Sequence, residues 1–138
     1  MAKVVAVVGK PVAVNGDIVC GATARQALEQ SGAAGYLVGR AVTGLPWKLK
    51  QIEAEREGRP WDLPLSVQAQ SHEALLEEML RFYGHDLGLR SYRKHFAAWA
   101  QTLNLLAPMR RHLLTAERPQ ALFDFLRQVG NQYLAQAA

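Results

Sequence analysis

The sequence lacks features that would assign the protein to several other classes. Its single cysteine, Cys20, excludes an internal disulfide and fits a reducing compartment. No apolar run reaches the roughly 18 residues of a transmembrane helix. The amino terminus also lacks the charged region, long apolar core and cleavage site of a signal peptide. We therefore expect a soluble, cytoplasmic protein that has no membrane partner.

The sequence also lacks the spacing of metal ligands and the length of a complete barrel. The four histidines, at 72, 85, 95 and 112, form no HxxxH pair and have no cysteine partners, so we expect no metal site. The chain has 138 residues, whereas a complete (β/α)₈ barrel needs about 250. A composition of 49% hydrophobic and 20% charged residues is nevertheless typical of a folded protein.

Acidic residues are missing from one window of the chain. Residues 1–86 hold nine Lys or Arg and ten Asp or Glu, and residues 117–138 hold two of each sign. Residues 87–116 hold five Lys or Arg and no acidic residue. The formal net charge of +4 is therefore concentrated in thirty residues, which points to a polyanionic partner for that segment.

Residues 12–47 contain the pattern of a βαβ unit. Val12–Val14 is a short apolar run, Thr23–Gln30 consists of helix-forming residues, and Tyr36–Val38 is a second apolar run. Two apolar strands joined by a crossover helix predict a parallel pair that is buried on both faces. The turns that follow the two strands should then lie side by side at the carboxyl edge.

Those two turns carry the candidate phosphate site. Asn15, Gly16 and Asp17 follow the first strand, and Gly39 and Arg40 follow the second. Glycines that permit close approach, backbone N–H groups and a cationic side chain are the groups that hold phosphates at such edges. The alternative is an ordinary Asn-Gly hairpin turn, although a hairpin would be followed at once by another strand rather than by a helix-forming segment.

The rest of the chain is predicted to be helical. Pro46 marks the start of a helix that ends near Gly58, with Trp47, Leu49 and Ile52 facing a core. Residues 59–66, with two prolines, read as a linker between a domain at 1–58 and one at 67–138. Three amphipathic stripes predict a small helical bundle in the second domain. They are His72, Leu75, Leu76, Met79, Leu80 and Tyr83; then Leu89, Tyr92, Phe96, Trp99 and Leu103; then Leu122, Leu126, Val129 and Tyr133.

The positive charges of the second stripe's helix can be placed by angle. At about 100° per residue, Arg90 and Lys94 point away from the aromatic stripe, while Arg93 and His95 lie on opposite flanks. A solvated helix face is the ordinary explanation of a charge run, but such a face normally mixes signs. We therefore expect this segment to bind a phosphate backbone. The candidate contacts are Arg90, Arg93, Lys94, His95, Arg110 and Arg111.

Several of these motifs, in this order, resemble a known family. NGDI at 15–18, VGRAVTGLPW at 38–47, FYG at 82–84 and RKH at 93–95 are similar to the carboxyl-terminal part of the flavin-dependent tRNA-dihydrouridine synthases. In that family six earlier strands carry the catalytic cysteine, so the resemblance implies a terminal piece and assigns no catalytic residue here. The catalytic role does not transfer to Cys20, beside which the sequence indicates no activating group.

The resemblance implies a fold and an activity. The fold would be the last βα units of a TIM (β/α)₈ barrel followed by a helical bundle that binds tRNA. Asn15, Gly16, Asp17, Gly39 and Arg40 would hold the phosphate of FMN, and NADPH would be the usual reductant in the complete enzyme. We expect the chain alone to be inactive and its exposed barrel strands to favour self-association. The alternative is a non-catalytic helical RNA-binding module with a barrel remnant.

Overall fold

The computed structural model describes the backbone of residues 2–136 and the side chains of residues 2–131. The chain divides into two compact units between Trp61 and Asp62, a position inside the predicted linker 59–66. Residues 1, 137 and 138 of the predicted domains, and the side chain of Tyr133, lie outside the described residues.

In residues 2–61 the first unit contains a short parallel sheet and three α-helices. Its elements are α1 (Ala2–Val7), β1 (Ala13–Asn15), α2 (Gly21–Ser31), β2 (Gly35–Leu37), a 3-10 helix (Arg40–Val42) and α3 (Lys48–Arg56). Strands β1 and β2 are parallel, with Ala13 opposite Gly35 and Asn15 opposite Leu37. The predicted parallel pair with a crossover helix is thus confirmed, each strand being displaced by one residue from its apolar run.

Local chemistry fixes both ends of the crossover helix α2. At its start the Thr23 hydroxyl accepts hydrogen bonds from the backbone N–H groups of Val19 and Cys20, at 3.0 and 3.1 Å. At its end Gly32 adopts a left-handed conformation with φ of 65°, which glycine accommodates without strain. The Gly32 N–H then bonds the carbonyl of Leu28. Helix α2 therefore begins and ends where the chain must turn between the two strands.

The prediction that both faces of the strands are buried is wrong for this unit. Val14 is buried with Ile18, Ala24 and Ile52, on the face that α2 covers. On the other face Ala13 and Asn15 are exposed, and Leu37 is 56% exposed. The reason is that burial on two faces needs a second covering layer, and the described part of the unit supplies helices to one face only.

Helix α3 packs by its carboxyl-terminal half rather than along its whole length. Ile52 is fully buried and Trp47 is half-buried, but Leu49 is 50% exposed, against the prediction that all three face a core. The close contact with α2 lies at Glu55 and Arg56, near the end of α3. The first turn, which contains Leu49, is therefore left facing solvent.

Over its described residues, 62–136, the second unit is a bundle of four helices. These are α4 (Leu65–Tyr83), α5 (His85–Ala100), α6 (Ala107–Thr115) and α7 (Gln120–Gln136), and α4 packs against both α5 and α7. Gly84 separates α4 from α5 with φ of 75°. Among the described side chains, the buried core of this unit comprises Ala69, His72, Leu76, Leu89, Tyr92, Phe96, Trp99, Ala100, Leu113, Leu122 and Leu126.

The core-facing stripes are largely where the helical period puts them. Two members depart from it. Leu103 lies beyond α5, which ends at Ala100. Tyr83 ends the first stripe and is 48% exposed, because α4 ends there and the chain reverses at Gly84. Within the core, His72 Nδ1 and the Tyr92 hydroxyl form a hydrogen bond of 3.1 Å. The His72 ring also stacks on Trp99, with centroids 4.3 Å apart. These aromatic groups are therefore packing elements and lie out of reach of a nucleobase.

None of the helices in residues 2–136 is long and apolar enough to cross a membrane. The same part of the chain contains no cluster of three or more His, Cys, Asp or Glu side chains suited to a metal ion.

Candidate functional site

The structure brings together the two turns that the sequence singles out. Asn15, Gly16 and Asp17 line one side of an open groove, and Gly39 and Arg40 line the other. The Arg40 guanidinium Nη2 donates a hydrogen bond to Asp17 Oδ1 at 2.8 Å. We call residues 15–17 and 39–40 the paired turns. Their proximity follows directly from the parallel register, in which Asn15 lies opposite Leu37.

The backbone of the paired turns departs from ordinary conformations. Gly16 has φ of 149° and Asp17 has φ of 45°, both on the side of φ that L-residues rarely adopt. The chain then leads into α2 and returns as the parallel strand β2, so the Asn-Gly hairpin alternative is excluded. A 3-10 helix begins at Arg40 on the second turn. Within it the Val42 N–H donates to the Gly39 carbonyl at 3.3 Å, and the Thr43 N–H donates to the Arg40 carbonyl at 3.0 Å.

The ion pair between the turns is almost fully exposed. The Arg40 side chain is 92% exposed and that of Asp17 is 87% exposed. Exposed pairs of this kind contribute little to folding, because water screens the charges and two flexible side chains must be ordered. The Arg40 guanidinium is therefore available to a more strongly charged anion such as a phosphate, which accepts bidentate hydrogen bonds from arginine.

A set of contacts from α3 supports the loop that joins the first turn to α2. Glu55 Oε2 accepts a hydrogen bond of 2.8 Å from the Gly21 N–H at the start of α2. This hydrogen bond is the main reason that the pKa of the Glu55 carboxyl is lowered. Arg25 donates to the carbonyls of Glu55 and Arg56, both at 2.9 Å. Sequence reasoning missed these residues, because partners 30 or more positions apart leave no local pattern.

Cys20 acts as a helix cap in this structure. It precedes the first residue of α2, and its sulfur and the Thr23 hydroxyl cap the helix reciprocally. The hydrogen bond from the Thr23 backbone lowers the pKa of the Cys20 thiol, and the bond from the Thr23 side chain adds to this effect. Both Cys20 and Thr23 therefore cap the start of α2, and this capping role explains the contacts of Cys20 without a catalytic role.

Four cations of the acid-free window are exposed on α5 and α6. They are Arg90 and Lys94 on α5 and Arg110 and Arg111 on α6, and we call them the cationic surface. None of the ion pairs among residues 2–131 includes any of these four side chains. Arg90 and Lys94 face away from the buried aromatic residues of α5, as the helical angles predict. The positive charge of this surface is therefore not neutralised from within the described structure.

Arg93 and His95 differ from the four exposed cations. Both are half-buried on the flanks of α5. Arg93 Nη2 donates to the backbone carbonyl of Ala116 at 2.6 Å, so its guanidinium turns toward the end of α6. Burial lowers the pKa of His95, and the positive charge of Lys94 lowers it further. His95 is therefore predominantly neutral at pH 7.

The lowered pKa of His95 predicts an acid-sensitive contribution to stability. The unfolded chain, with an ordinary histidine pKa of about 6.5, takes up the proton first on acidification. The stability that depends on neutral His95 is therefore fully present above about pH 6.5 and falls as the pH drops toward the folded pKa. We expect His95→Gln to make the decrease in Tm between about pH 6.5 and pH 5 shallower. Parallel Tm curves for the two proteins over this range would contradict this prediction.

Comparison with known proteins gives one consistent result. A model of the dihydrouridine synthase family matches residues 2–136. The chain is 42% identical over 132 residues to a probable tRNA-dihydrouridine synthase of Rhodobacter capsulatus, covering 92% of this chain and 39% of that protein. It is 38% identical over 97 residues to tRNA-dihydrouridine synthase B of Pseudomonas aeruginosa, covering 67% and 29%. It is 31% identical over 120 residues to a probable tRNA-dihydrouridine synthase of Rickettsia bellii, covering 83% and 36%. The chain thus spans about two fifths or less of the length of these relatives.

Proposed function

The chain belongs to the dihydrouridine synthase family, and from that premise we propose that it supplies the flavin-phosphate turns and the tRNA-binding helices of a tRNA-dihydrouridine synthase. The reaction is the reduction of uridine in tRNA to dihydrouridine. Bound FMN would supply the hydride, with NADPH as the reductant. We assign to no residue of this chain the role of proton donor or of contact to the flavin ring.

The observation that carries the proposal is the meeting of the paired turns. A phosphate needs close backbone approach and a cation, and the residues present fit both needs. A Cβ added at Gly16 or Gly39 would meet no atom of the described part of the chain within 4 Å, so the groove beside both glycines is open. Arg40 is held at the rim by Asp17 at 2.8 Å. We propose that the backbone of 15–17 and 39–40 cradles the FMN phosphate and that Arg40 exchanges Asp17 for it.

The proposed fold is the last βα portion of a TIM (β/α)₈ barrel followed by a helical bundle. Members of this family are TIM-barrel enzymes. Two parallel strands with a crossover helix, followed at their carboxyl ends by the paired turns, are consistent with that architecture. The exposed Leu37 and Ala13 lie where neighbouring strands and core residues of a barrel would pack. Self-association through this face of the 138-residue chain remains part of the proposal.

The helical unit is proposed to bind tRNA through the cationic surface. Arg90, Lys94, Arg110 and Arg111 are exposed and have no acidic partner among the described residues. Such a surface attracts the phosphate backbone whatever the base sequence. The buried aromatic residues of α5 are excluded as stacking platforms by their packing. Binding through these cations would therefore position tRNA without reading its sequence.

Removing two cations of this surface should weaken tRNA binding without unfolding the protein. We expect Arg90→Ala plus Lys94→Ala to leave Tm nearly unchanged, because both side chains are exposed. The slope of log affinity against log salt should fall by up to about two, since each lost phosphate contact removes about one unit in the duplex limit. Titration of labelled tRNA into the 138-residue chain at several salt concentrations measures both quantities.

The matched control also removes two exposed cations. Arg59→Ala plus Arg81→Ala changes the net charge equally, but these side chains pair with Glu57 and Glu78. We expect this control to alter tRNA affinity much less and to leave the salt slope unchanged. An unchanged slope in the folded Arg90→Ala plus Lys94→Ala variant would instead mean that the cationic surface is an ordinary solvated face.

A further inference from the structure

Helix α6 carries half of the cationic surface but has a small buried contact with the bundle. Leu113 is the buried residue of its described range, Ala107–Thr115. Ala107, Pro108, Met109 and both arginines of the helix are exposed. A helix of nine residues is marginally stable by itself in water. The position of Arg110 and Arg111 therefore depends on whatever fixes α6 to its neighbour.

Arg93 provides such an attachment from α5. Its Nη2 donates a hydrogen bond of 2.6 Å to the carbonyl of Ala116, which directly follows the last residue of α6. The carbonyl groups at a helix end have no partner within the helix, and a cation there also meets the negative end of the helix dipole. The contact thus joins a charged donor to the α6 terminus, where hydrogen bonds to charged groups are stronger than neutral ones.

The orientation of the same side chain argues against a phosphate contact. The Arg93 Nε atom is buried and has no hydrogen-bond partner within the described part of the chain. The guanidinium therefore faces the protein at Nε and is engaged at Nη2. Arg90 and Lys94, one helical turn or less away on α5, are instead exposed.

We propose that Arg93 is a positioning residue that holds the end of α6 against α5, so that the cations of both helices form one surface for tRNA. This inference rests on the proposed tRNA-binding function. It reassigns Arg93 from the candidate contacts to the support of Arg110 and Arg111. The dependence on α6 distinguishes it from a direct contact, since a residue that touches phosphate acts whether or not the α6 arginines are present.

A mutant cycle in the 138-residue chain tests the inference. Arg93→Ala is combined with Arg110→Ala plus Arg111→Ala, and tRNA binding is measured across a salt series. With the α6 arginines present, we expect Arg93→Ala to weaken binding roughly fivefold to tenfold and to lower the salt slope by more than one unit, because two phosphate contacts are lost together. With those arginines already replaced, we expect Arg93→Ala to change binding less than about twofold.

Hydrogen exchange shows which segment is loosened by Arg93→Ala, and a second variant is available if Arg93→Ala does not fold. We expect residues 107–116 to lose protection in Arg93→Ala while α4 and α5 keep theirs. Arg93→Met retains the aliphatic stem that packs on the bundle. If the alanine variant does not fold, we expect Arg93→Met to show the same loss of protection and the same dependence of tRNA binding on the α6 arginines.

The other outcomes overturn the inference in distinguishable ways. An equal loss of affinity in both backgrounds, with a slope decrease of about one in each, would make Arg93 a direct phosphate contact. Faster exchange in residues 107–116 with unchanged tRNA binding would make it a structural tether with no role in binding. If Arg110→Ala plus Arg111→Ala and Arg90→Ala plus Lys94→Ala both leave binding unchanged, the proposed tRNA surface itself is wrong.

Discussion

Gly88→Ala is expected to lower the free energy of unfolding of the helical unit by about 2 kcal/mol or more. A Cβ at this position of α5 would lie 2.5 Å from the Met79 carbonyl oxygen and 2.9 Å from the Leu80 Cα atom. Both are backbone atoms of α4, so no side-chain rotation relieves the overlap and the two helices must separate. The loss should exceed the gain of about 1 kcal/mol that alanine brings to a helix. Urea denaturation of the 138-residue chain measures the difference.

Gly130→Ala is the matched control for this prediction. Gly130 lies in α7, and a Cβ added there would meet no atom of the described residues within 4 Å. We expect this substitution to stabilise the unit by about 0.5–1 kcal/mol, because alanine loses less backbone entropy in a helix. Equal denaturation midpoints for Gly88→Ala and the parent chain would show that α4 and α5 are not packed as closely as described.

Arg40→Ala is expected to weaken FMN binding by about 1.5–3 kcal/mol, roughly tenfold to 150-fold in Kd, in a protein with a complete barrel. A suitable protein is a chimera in which this chain replaces the matching 132 residues of the Rhodobacter capsulatus relative. The effect follows from the loss of charge-assisted hydrogen bonds to the phosphate. Folding should be unaffected, because the Arg40 side chain is 92% exposed. Flavin fluorescence titration of the refolded apoprotein measures Kd.

Two further variants separate the phosphate contact from other effects of charge. Arg59→Ala also removes an exposed arginine that pairs with a carboxylate, and we expect it to leave the Kd for FMN unchanged. Asp17→Asn removes the carboxylate that competes with phosphate for Arg40, so we expect FMN binding to be unchanged or tighter. Unaltered flavin content in Arg40→Ala would remove Arg40 from the site.

The sequence was most informative where one local pattern determines the geometry. Apolar runs on either side of a helix-forming segment imply a parallel crossover, and the crossover alone brings Asp17 and Arg40 to one edge. Helical angles likewise place Arg90 and Lys94 away from the core, and both are exposed. These predictions depend on the chain's periodicity, which a single sequence contains in full.

The remaining features depend on partners that periodicity does not identify. Helical angles place the Arg93 side chain on a flank of α5. Its hydrogen bond to the Ala116 carbonyl depends on how α6 packs against α5, which the angles do not predict. The contact of Glu55 with the Gly21 N–H and the close approach at Gly88 are also set by tertiary packing. The exposed face at Leu37 was predicted to be buried because two apolar runs joined by a crossover helix are typical of strands covered on both faces, whereas the described unit covers one face of its strands.

We propose that this chain supplies the flavin-phosphate turns and the tRNA surface of a dihydrouridine synthase. The most direct test measures dihydrouridine in unmodified tRNA incubated with NADPH and the purified chimera with the Rhodobacter capsulatus relative, beside the 138-residue chain alone. We predict that the chimera holds FMN and forms dihydrouridine. The isolated chain should form none, because its two described strands do not enclose a flavin. A folded chimera that holds no FMN, or uridine reduction by the isolated chain, would contradict this proposal.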